Sequence, residues 1–413
     1  MLLHRLQVIQ LNHISMSYNK TIMRFAFVKA VLFFVHTSGI ANAHAAEGRI
    51  APGAEQVNEY LSLLKKCKSV GIVANDASCI GRESLLSYLV RNKVKVTRLF
   101  APEHGLRVDK DANESFDNIV DPMTGVPIIS LQHSSGLCLP TVEMIEDLDM
   151  VVFDIQSVGV RTYSFEKILH YVMEACAISK VHLMILDRPN PNAHYIDGPV
   201  QKAEFSDFNV FHPIPLVHGL TLGELAQMIN GEGWLKDGLK CEMAIIKVHN
   251  YTHASRYSMP NKPTPNMVND QAVALSPLIT LFDGTVMSVG RGTSKPCQQI
   301  GAPNPVFGTY TFKPVSMLEN DKYPKYCNII CHGIDLTRVA CPNCICLQYL
   351  ISLHKIAEDN GILFFLGNFD IQAGNDTLRQ QLKDGLSEQE IRASWQKDIE
   401  EYKKAREKYL LYK

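Results

Sequence analysis

A carboxylate, an imidazole and a guanidinium stand close together in the segment APEHGLR, which begins at Ala101. They belong to Glu103, His104 and Arg107, and the apolar run VKVTRLF directly precedes this segment. A carboxyl group packed against the end of a sheet is partly desolvated, which raises its pKa towards the range that a general acid needs. We therefore predict that Glu103 is a proton donor. The alternative is a loop glutamate that forms an ion pair with Arg107.

A second polar cluster, DIQSVGVRTY, also follows an apolar run. It supplies four residues with polar side chains that can bind or react: Asp154, Gln156, Arg161 and Tyr163. Two interpretations of Asp154 stay open. It can be a second catalytic carboxylate, or it can cap the helix that follows, because acidic residues favour helix starts.

The third cluster, LDRPNPN, lies on a stretch that two prolines stiffen, and its polar residues are Asp187, Arg188, Asn190 and Asn192. Amide and guanidinium groups on a rigid loop suit the hydroxyl groups of a sugar and a carboxylate. The alternative is a turn whose asparagine side chains cap its own backbone.

Two later segments add candidates. Thr221 and Glu224 have the spacing of a capping box, so we predict a structural role for both, while the role of the preceding His218 stays open. The loop GRGTSKP contributes Arg291, which can meet an anion.

The elements that must position these clusters follow from hydrophobic patterning. Short β-branched runs predict strands over 70–75, 94–100, 126–131, 150–155 and 181–186, and apolar spacing predicts helices near 85–90 and 165–176. Strands that are apolar on both faces and alternate with helices indicate a doubly wound parallel α/β sheet. Ligands bind outside the carboxyl ends of such strands, so we expect the three clusters to share one rim.

The pattern changes near Leu235. A further strand is predicted over 240–248, followed by a tract rich in Pro, Gly and Asn and by a charged amphipathic helix from about Ser387. We predict an α/β catalytic domain over 46–235 and a smaller α+β domain over 236–413 whose loops close the cleft.

The first 45 residues differ from the rest. Basic residues lead into the apolar run AVLFFV and then into small residues, which is the pattern of a secretory signal peptide. We therefore predict export to the periplasm or the outside of the cell, the alternative being an amphipathic first helix. The eleven cysteines include the segment CPNC, which we interpret as disulfides or buried thiols rather than half of a zinc site.

Composition and missing motifs exclude several function classes. The 413 residues carry a formal net charge of -1, so no basic face for nucleic acid is indicated. Glycine-rich dinucleotide and P-loop motifs, the zinc-protease motif and the esterase nucleophile elbow do not occur in the sequence. We predict neither a cofactor nor a metal.

The ordered segments LFAPEHGLR, VVFDIQSVGVRTY, LDRPNPN, VHGLTLGEL, PTPNM and VGRGTSKP resemble the exo-β-N-acetylmuramidases of the NamZ type, glycoside hydrolase family 171. The resemblance runs from about Val70 to the C-terminus. It implies a Rossmann-like domain, a smaller second domain and a cleft between them. It also implies release of N-acetylmuramic acid from the non-reducing ends of peptidoglycan fragments, with Glu103 as the leading catalytic residue. Asp154, at the end of another predicted strand, is our candidate for the second carboxylate.

With that substrate, the lactyl carboxylate calls for a guanidinium group, and the candidates are Arg161, Arg188 and Arg291. The predicted substrate-binding set is completed by His104, Arg107, Gln156, Tyr163, Asp187, Asn190, Asn192, His218 and Asn266. Ser157 stands where the family commonly has an aspartate, and the loop after the first predicted strand also differs from the family's pattern. These departures motivate the alternative of a catalytically silent peptidoglycan-fragment binding protein. A third hypothesis is an unrelated small-molecule α/β enzyme.

Overall fold

The structure is a computed structural model that describes residues 48–102, 118–133, 136–137, 140–206, 212–318, 321–340 and 343–413. The predicted signal peptide over 1–45 lies outside these residues. In the described residues, no helix is both long and apolar enough to cross a membrane.

The strands of the described residues are, in chain order, β1 (Val70–Ala74), β2 (Cys79–Ile80), β3 (Glu83–Ser84), β4 (Val96–Ala101), β5 (Ile119–Val120), β6 (Pro127–Ser130), β7 (Gln132–His133), β8 (Gly136–Leu137), β9 (Met150–Asp154), β10 (His182–Leu186), β11 (Asp197–Val200), β12 (Pro215–Val217), β13 (Met243–Ile246), β14 (Gln299–Ala302), β15 (Tyr310–Phe312) and β16 (Cys331–Asp335). The α-helices are α1 (Val57–Leu64), α2 (Leu85–Arg91), α3 (Ser164–Ser179), α4 (Leu222–Glu232), α5 (Asp270–Asp283), α6 (Leu347–Asp359), α7 (Phe369–Ala373), α8 (Thr377–Lys383) and α9 (Glu388–Arg406).

The main sheet has seven strands in the order β13–β10–β9–β1–β4–β6–β5. All neighbours pair in parallel except β5, which runs antiparallel to β6 at the edge. Without β5, this is the strand order of a dinucleotide-binding Rossmann sheet, in which the direction of winding reverses between the first and fourth parallel strands. Here those strands are β1 and β9.

Helices cover both faces of this sheet because successive strand residues point to opposite sides. Ile72 and Val152 pack on the face that α1 and α2 cover, whereas Val73 and Phe153 pack on the face of α3 and α4. The predicted doubly wound fold is confirmed, and the five strands predicted from short apolar runs all lie within two residues of their expected bounds.

One predicted strand belongs elsewhere. Sequence analysis assigns 240–248 to the second domain, but β13 pairs in parallel with β10 and forms an edge of the main sheet. The main sheet therefore extends in sequence to β13, beyond the change in residue pattern near Leu235.

The smaller second domain contains the antiparallel sheet β14–β16–β15 and the helices α5 to α8. Its apolar core includes Leu275, Ile300, Leu350 and Phe369. The predicted terminal helix is confirmed as α9, which begins with a capping box between Ser387 and Glu390. The residues after α9 return to the core of the first sheet, where Tyr409 packs.

Candidate active site

The ends of β1 and β9 lie side by side at the point where the sheet reverses its winding, and their last residues pair as Ala74 with Asp154. In an open α/β sheet the ligand crevice lies outside the carboxyl ends of the strands at this point. The polar segments after β9 and β10 meet here through Asp154 and Arg188, as the sequence predicts.

Asp154 and Arg188 form a buried ion pair. Arg188 donates from Nε to Asp154 Oδ1 over 2.5 Å, from Nη2 to Oδ2 over 2.9 Å, and from Nη2 to the carbonyl oxygen of Cys79 over 3.2 Å. Burial raises the pKa of the Asp154 carboxyl, and the guanidinium opposes that shift. Asp154 does not cap a helix, because α3 begins ten residues later behind Tyr163. Its contacts instead hold Arg188 at the crevice.

The loop after β1 is built from local hydrogen bonds. The Asn75 backbone N–H donates to Ser78 Oγ over 2.9 Å, and Asn75 Oδ1 accepts from the Ala77 N–H over 3.1 Å. Ser78 Oγ also donates to the carbonyl oxygen of Asp154. The Asn75 amide reaches the carbonyl oxygen of Pro263, so this loop contacts the segment that carries PTPNM.

The amide side chains of Asn190 and Asn192 are occupied by backbone groups. Asn190 Nδ2 donates to the carbonyl oxygen of Leu220 over 2.8 Å, and Asn190 Oδ1 accepts from the Asn192 N–H over 2.8 Å. Asn192 Nδ2 donates to the carbonyl oxygens of Val158 and Val273. These contacts match the alternative in which the asparagines stabilise their own turn, and they make the loop that bears Arg188 rigid.

Arg161 is buried and binds backbone only. Its Nη1 donates to the carbonyl oxygens of Pro199 and Ile214, and its Nη2 donates to those of Gln372 and Ala373. Burial lowers the pKa of this guanidinium to about 9. In this arrangement Arg161 joins the β11–β12 hairpin to α7.

Gln156 and Tyr163 are held in a similar way. Gln156 Nε2 donates to the carbonyl oxygens of Ser157 and Pro189, each over 2.7 Å. The Tyr163 hydroxyl contacts the sulfur of Met267 over 3.8 Å, and burial raises its pKa. Gln156 thus links the segments after β9 and β10, and Tyr163 contacts the segment that carries PTPNM.

Asp187 is enclosed by neutral donors. Its carboxylate accepts from the Thr221 hydroxyl, the Gly223 N–H and the Tyr412 hydroxyl over 2.6–2.9 Å. Burial raises its pKa to about 6. The predicted capping box of Thr221 and Glu224 is confirmed at the start of α4. Asp187 therefore ties β10 to α4 and to the C-terminal segment.

Two of the predicted substrate-binding residues lie in the second half of the chain. Arg291 donates from Nη2 to Asp283 over 2.8 Å, and both side chains are about one-third exposed. Asn266 is buried, and its Oδ1 has no hydrogen-bond partner in the described part of the chain.

The comparisons with known proteins agree with this architecture. Family models described as the N-terminal and C-terminal parts of exo-beta-N-acetylmuramidase NamZ match residues 70–271 and 275–412. The chain is 30% identical to the peptidoglycan beta-N-acetylmuramidase NamZ of Bacillus subtilis, over 94% of this chain and 99% of that protein.

The chain belongs to the NamZ family.

Two crystal structures of DUF1343 family proteins from Bacteroides fragilis share its fold. One has a TM-score of 0.79 and 36% identity and covers 89% of this chain and 99% of its own. The other has a TM-score of 0.74 and 24% identity, covers 88% of this chain and 99% of its own, and shows the fold alone. The resemblance inferred from the ordered motifs is thus confirmed.

Three residues predicted from the NamZ motifs, Glu103, His104 and Arg107, lie outside the described residues, and their roles stay predictions. Strand β4, which leads to them, runs parallel to β1 and ends at Ala101. Apart from Cys346, the described cysteines are free thiols, and no group of metal-binding side chains suited to an ion occurs among the described residues.

Glu166 is not among the residues predicted from the sequence. Ser157 donates from Oγ to Oε1 of Glu166 over 2.5 Å. Glu166 lies in the first turn of α3, where an acidic residue is ordinary, so its type gives no signal. The signal available in the sequence is its position, between Phe165 and Lys167 in a helix with an apolar face, where it is buried together with Phe165.

Proposed function

We propose that this chain is an exo-acting β-N-acetylmuramidase that hydrolyses terminal N-acetylmuramic acid from the non-reducing end of peptidoglycan fragments, in cell-wall turnover or recycling. Membership of the NamZ family carries this proposal, because the curated member that is named a peptidoglycan beta-N-acetylmuramidase aligns along almost all of both chains. The same alignment favours an enzyme over a silent binding protein.

Hydrolysis of a glycoside needs a proton for the leaving oxygen, and a carboxylate that stabilises the oxocarbenium ion or activates water. We assign proton donation to Glu103, which stands two residues after the end of β4 in the sequence. Asp154 stays the predicted second carboxylate, and its pairing with Arg188 supports a role in holding that guanidinium.

Recognition of the lactyl carboxylate is assigned first to Arg188. Its Nε and Nη2 are engaged, whereas its Nη1 has no acceptor among the described residues. Arg161 donates both terminal nitrogens to backbone carbonyls, and Arg291 faces Asp283. Arg188 also lies at the switch point, where the fold directs a ligand.

The decisive experiment measures release of free N-acetylmuramic acid from a synthetic muramyl-glucosaminide. Loss of a general acid should lower turnover by about 10²-fold or more in Glu103→Gln, with little change in melting temperature. Glu83→Gln is the matched control, because Glu83 forms only an exposed ion pair with Arg91. Tight binding without turnover by the parent protein would replace this proposal with the silent binding protein, and a nucleotide that co-purifies would revive the unrelated enzyme.

Export is part of the same proposal. Peptidoglycan lies outside the cytoplasmic membrane, and the leader over 1–45 has the composition of a signal peptide. The N-terminus of the mature protein, sequenced from the native host, should fall near residue 45; an intact leader on soluble protein inside the cell would contradict export.

A further inference from the structure

Glu166 is a buried carboxylate that the mechanism above does not use. Its Oε1 accepts from Ser157 Oγ over 2.5 Å and lies 3.6 Å from Nε2 of His218. Its Oε2 is buried and has no hydrogen-bond partner in the part of the chain that the structure describes. Buried polar atoms without partners are uncommon in folded proteins and therefore call for an explanation.

The hydrogen bonds of His218 fix where its ring proton lies. Nδ1 accepts from the Leu220 backbone N–H over 3.2 Å, so in the neutral ring the proton is on Nε2. Like Glu166 Oε2, Nε2 is buried and has no hydrogen-bond partner in the described residues, and it faces the Glu166 carboxylate. The Nε2 donor without a partner thus faces a carboxylate whose other oxygen, Oε2, also has no partner among the described residues.

Two routes lead from Glu166 to Asn190. Through His218, the route continues to Leu220, whose N–H binds the ring and whose carbonyl oxygen accepts from Asn190 Nδ2 over 2.8 Å. Through Ser157, it continues to Gly159, whose N–H donates to Ser157 Oγ over 3.1 Å.

Gly159 completes the second route by close packing. Its φ is +73°, and a Cβ on this residue would lie 2.2 Å from Asn190 Nδ2, so only glycine fits against that amide. Both routes therefore converge on the amide of Asn190. Asn190 lies two residues after Arg188, the group assigned to the lactyl carboxylate.

We propose that Glu166 is a positioning residue: it holds His218 and Ser157 in the orientation that fixes Asn190, and through Asn190 the loop that presents Arg188 to the muramyl group. This inference rests on the proposed function. Glu166 supplies a carboxylate beside His218 from α3.

The test compares kcat and KM on the muramyl-glucosaminide with binding of N-acetylmuramic acid and of N-acetylglucosamine. In Glu166→Gln the loop loses its support, and a misplaced binding group costs on the order of tenfold or more in kcat/KM. The loss should appear mainly in KM and in selectivity for the muramyl ligand. Glu174→Gln is the matched control on α3, because Glu174 accepts from the Lys236 N–H and contacts His170 rather than Ser157 or His218.

The double variant Ser157→Asp/Glu166→Gln separates positioning from mere stability. It places the carboxylate at position 157 and the neutral partner at position 166, the reverse of the native hydrogen bond. The double variant should therefore restore most of the selectivity that Glu166→Gln loses and bring KM back towards the parent value. Recovery of the melting temperature without selectivity would overturn the proposal, as would full activity and selectivity in Glu166→Gln itself.

Ser157→Ala keeps the proposal testable if Glu166→Gln does not fold. It removes the link to Gly159 and should raise KM in the same direction, and an unchanged KM would overturn the proposal. A parent protein that releases no N-acetylmuramic acid refutes the proposed function, whereas an active parent with an unaffected Glu166→Gln variant refutes only this inference.

Discussion

The ends of β9 and β10 offer two aspartates in nearly the same setting with different partners. Asp154 and Asp187 each follow or end a buried strand of the same sheet, and both are almost fully buried. Asp154 faces the guanidinium of Arg188, whereas Asp187 faces hydroxyl and backbone N–H donors. One carboxylate is neutralised by a cation, and the other is only solvated by the protein.

This difference separates a carboxylate that holds the guanidinium we assign to ligand binding from one that joins structural elements. The Asp154 pair places a cation at the switch point of the sheet. The donors around Asp187 come from α4 and from the C-terminal segment, so this carboxylate fastens the last residues of the chain to the sheet. Burial raises the pKa of both groups, and position at a strand end alone does not distinguish the two roles.

The largest effect is expected from breaking the ion pair. Asp154→Asn leaves the buried guanidinium of Arg188 without its counter-charge, and loss of one partner of a buried pair destabilises by about 3–5 kcal/mol. The free energy of unfolding in urea measures this loss. Asp147→Asn is the control, since its pair with Arg98 is partly exposed and such pairs contribute about 0–1 kcal/mol. Equal, small losses in both variants would show that Arg188 finds another partner and that the two strand ends do not differ as described.

The sequence predicts the sheet well because its strands are short apolar runs whose alternate residues enter two cores. The parallel pairing of the strands and the meeting of the segments after β9 and β10 then follow from the rules of parallel α/β folds. The assignment of β13 to the second domain is wrong because its partner strand, β10, lies sixty residues earlier in the chain. Local composition does not show which strands pair.

Roles within the site are harder to predict because they depend on partners that are distant in sequence. Nothing near Asp187 indicates that Tyr412 will bind it, and nothing near Glu166 indicates that His218 will face it. The motif segments identify which loops lie at the carboxyl edge of the sheet. Hydrogen bonds within the protein then determine which of their side chains are free to bind a ligand. The sequence predicts that the amides of Asn190 and Asn192 bind a sugar, but in the structure both amides donate to backbone carbonyl oxygens.

A smaller effect is expected from the pH dependence of Asp187. Its pKa is about 6 in the folded protein and near the ordinary aspartate value in the unfolded chain, so the folded state binds more protons between these values. The stabilisation is complete below the unfolded pKa and is lost as the pH rises through about 6, with a slope of at most about 1.4 kcal/mol per pH unit. Asp187→Asn should remove this slope. Unfolding measured from pH 4 to pH 7 tests it, and parallel curves for the two proteins would contradict the assignment.

The smallest effect is expected from removing one of the donors around Asp187. Tyr412→Phe deletes the hydroxyl that donates to Asp187 over 2.6 Å and accepts from the Val248 N–H, at a cost of about 1 kcal/mol in the free energy of unfolding. That donor lowers the pKa of Asp187, so its loss should also raise the pH at which the stabilisation disappears. Tyr409→Phe is the control, because its hydroxyl donates to the partly exposed Glu232. If the pH at which the stabilisation is lost shifts in the control but not in Tyr412→Phe, the C-terminal segment does not contribute to the hydrogen bonds of Asp187. The contrast between the two strand ends would then depend on the donors from α4 alone.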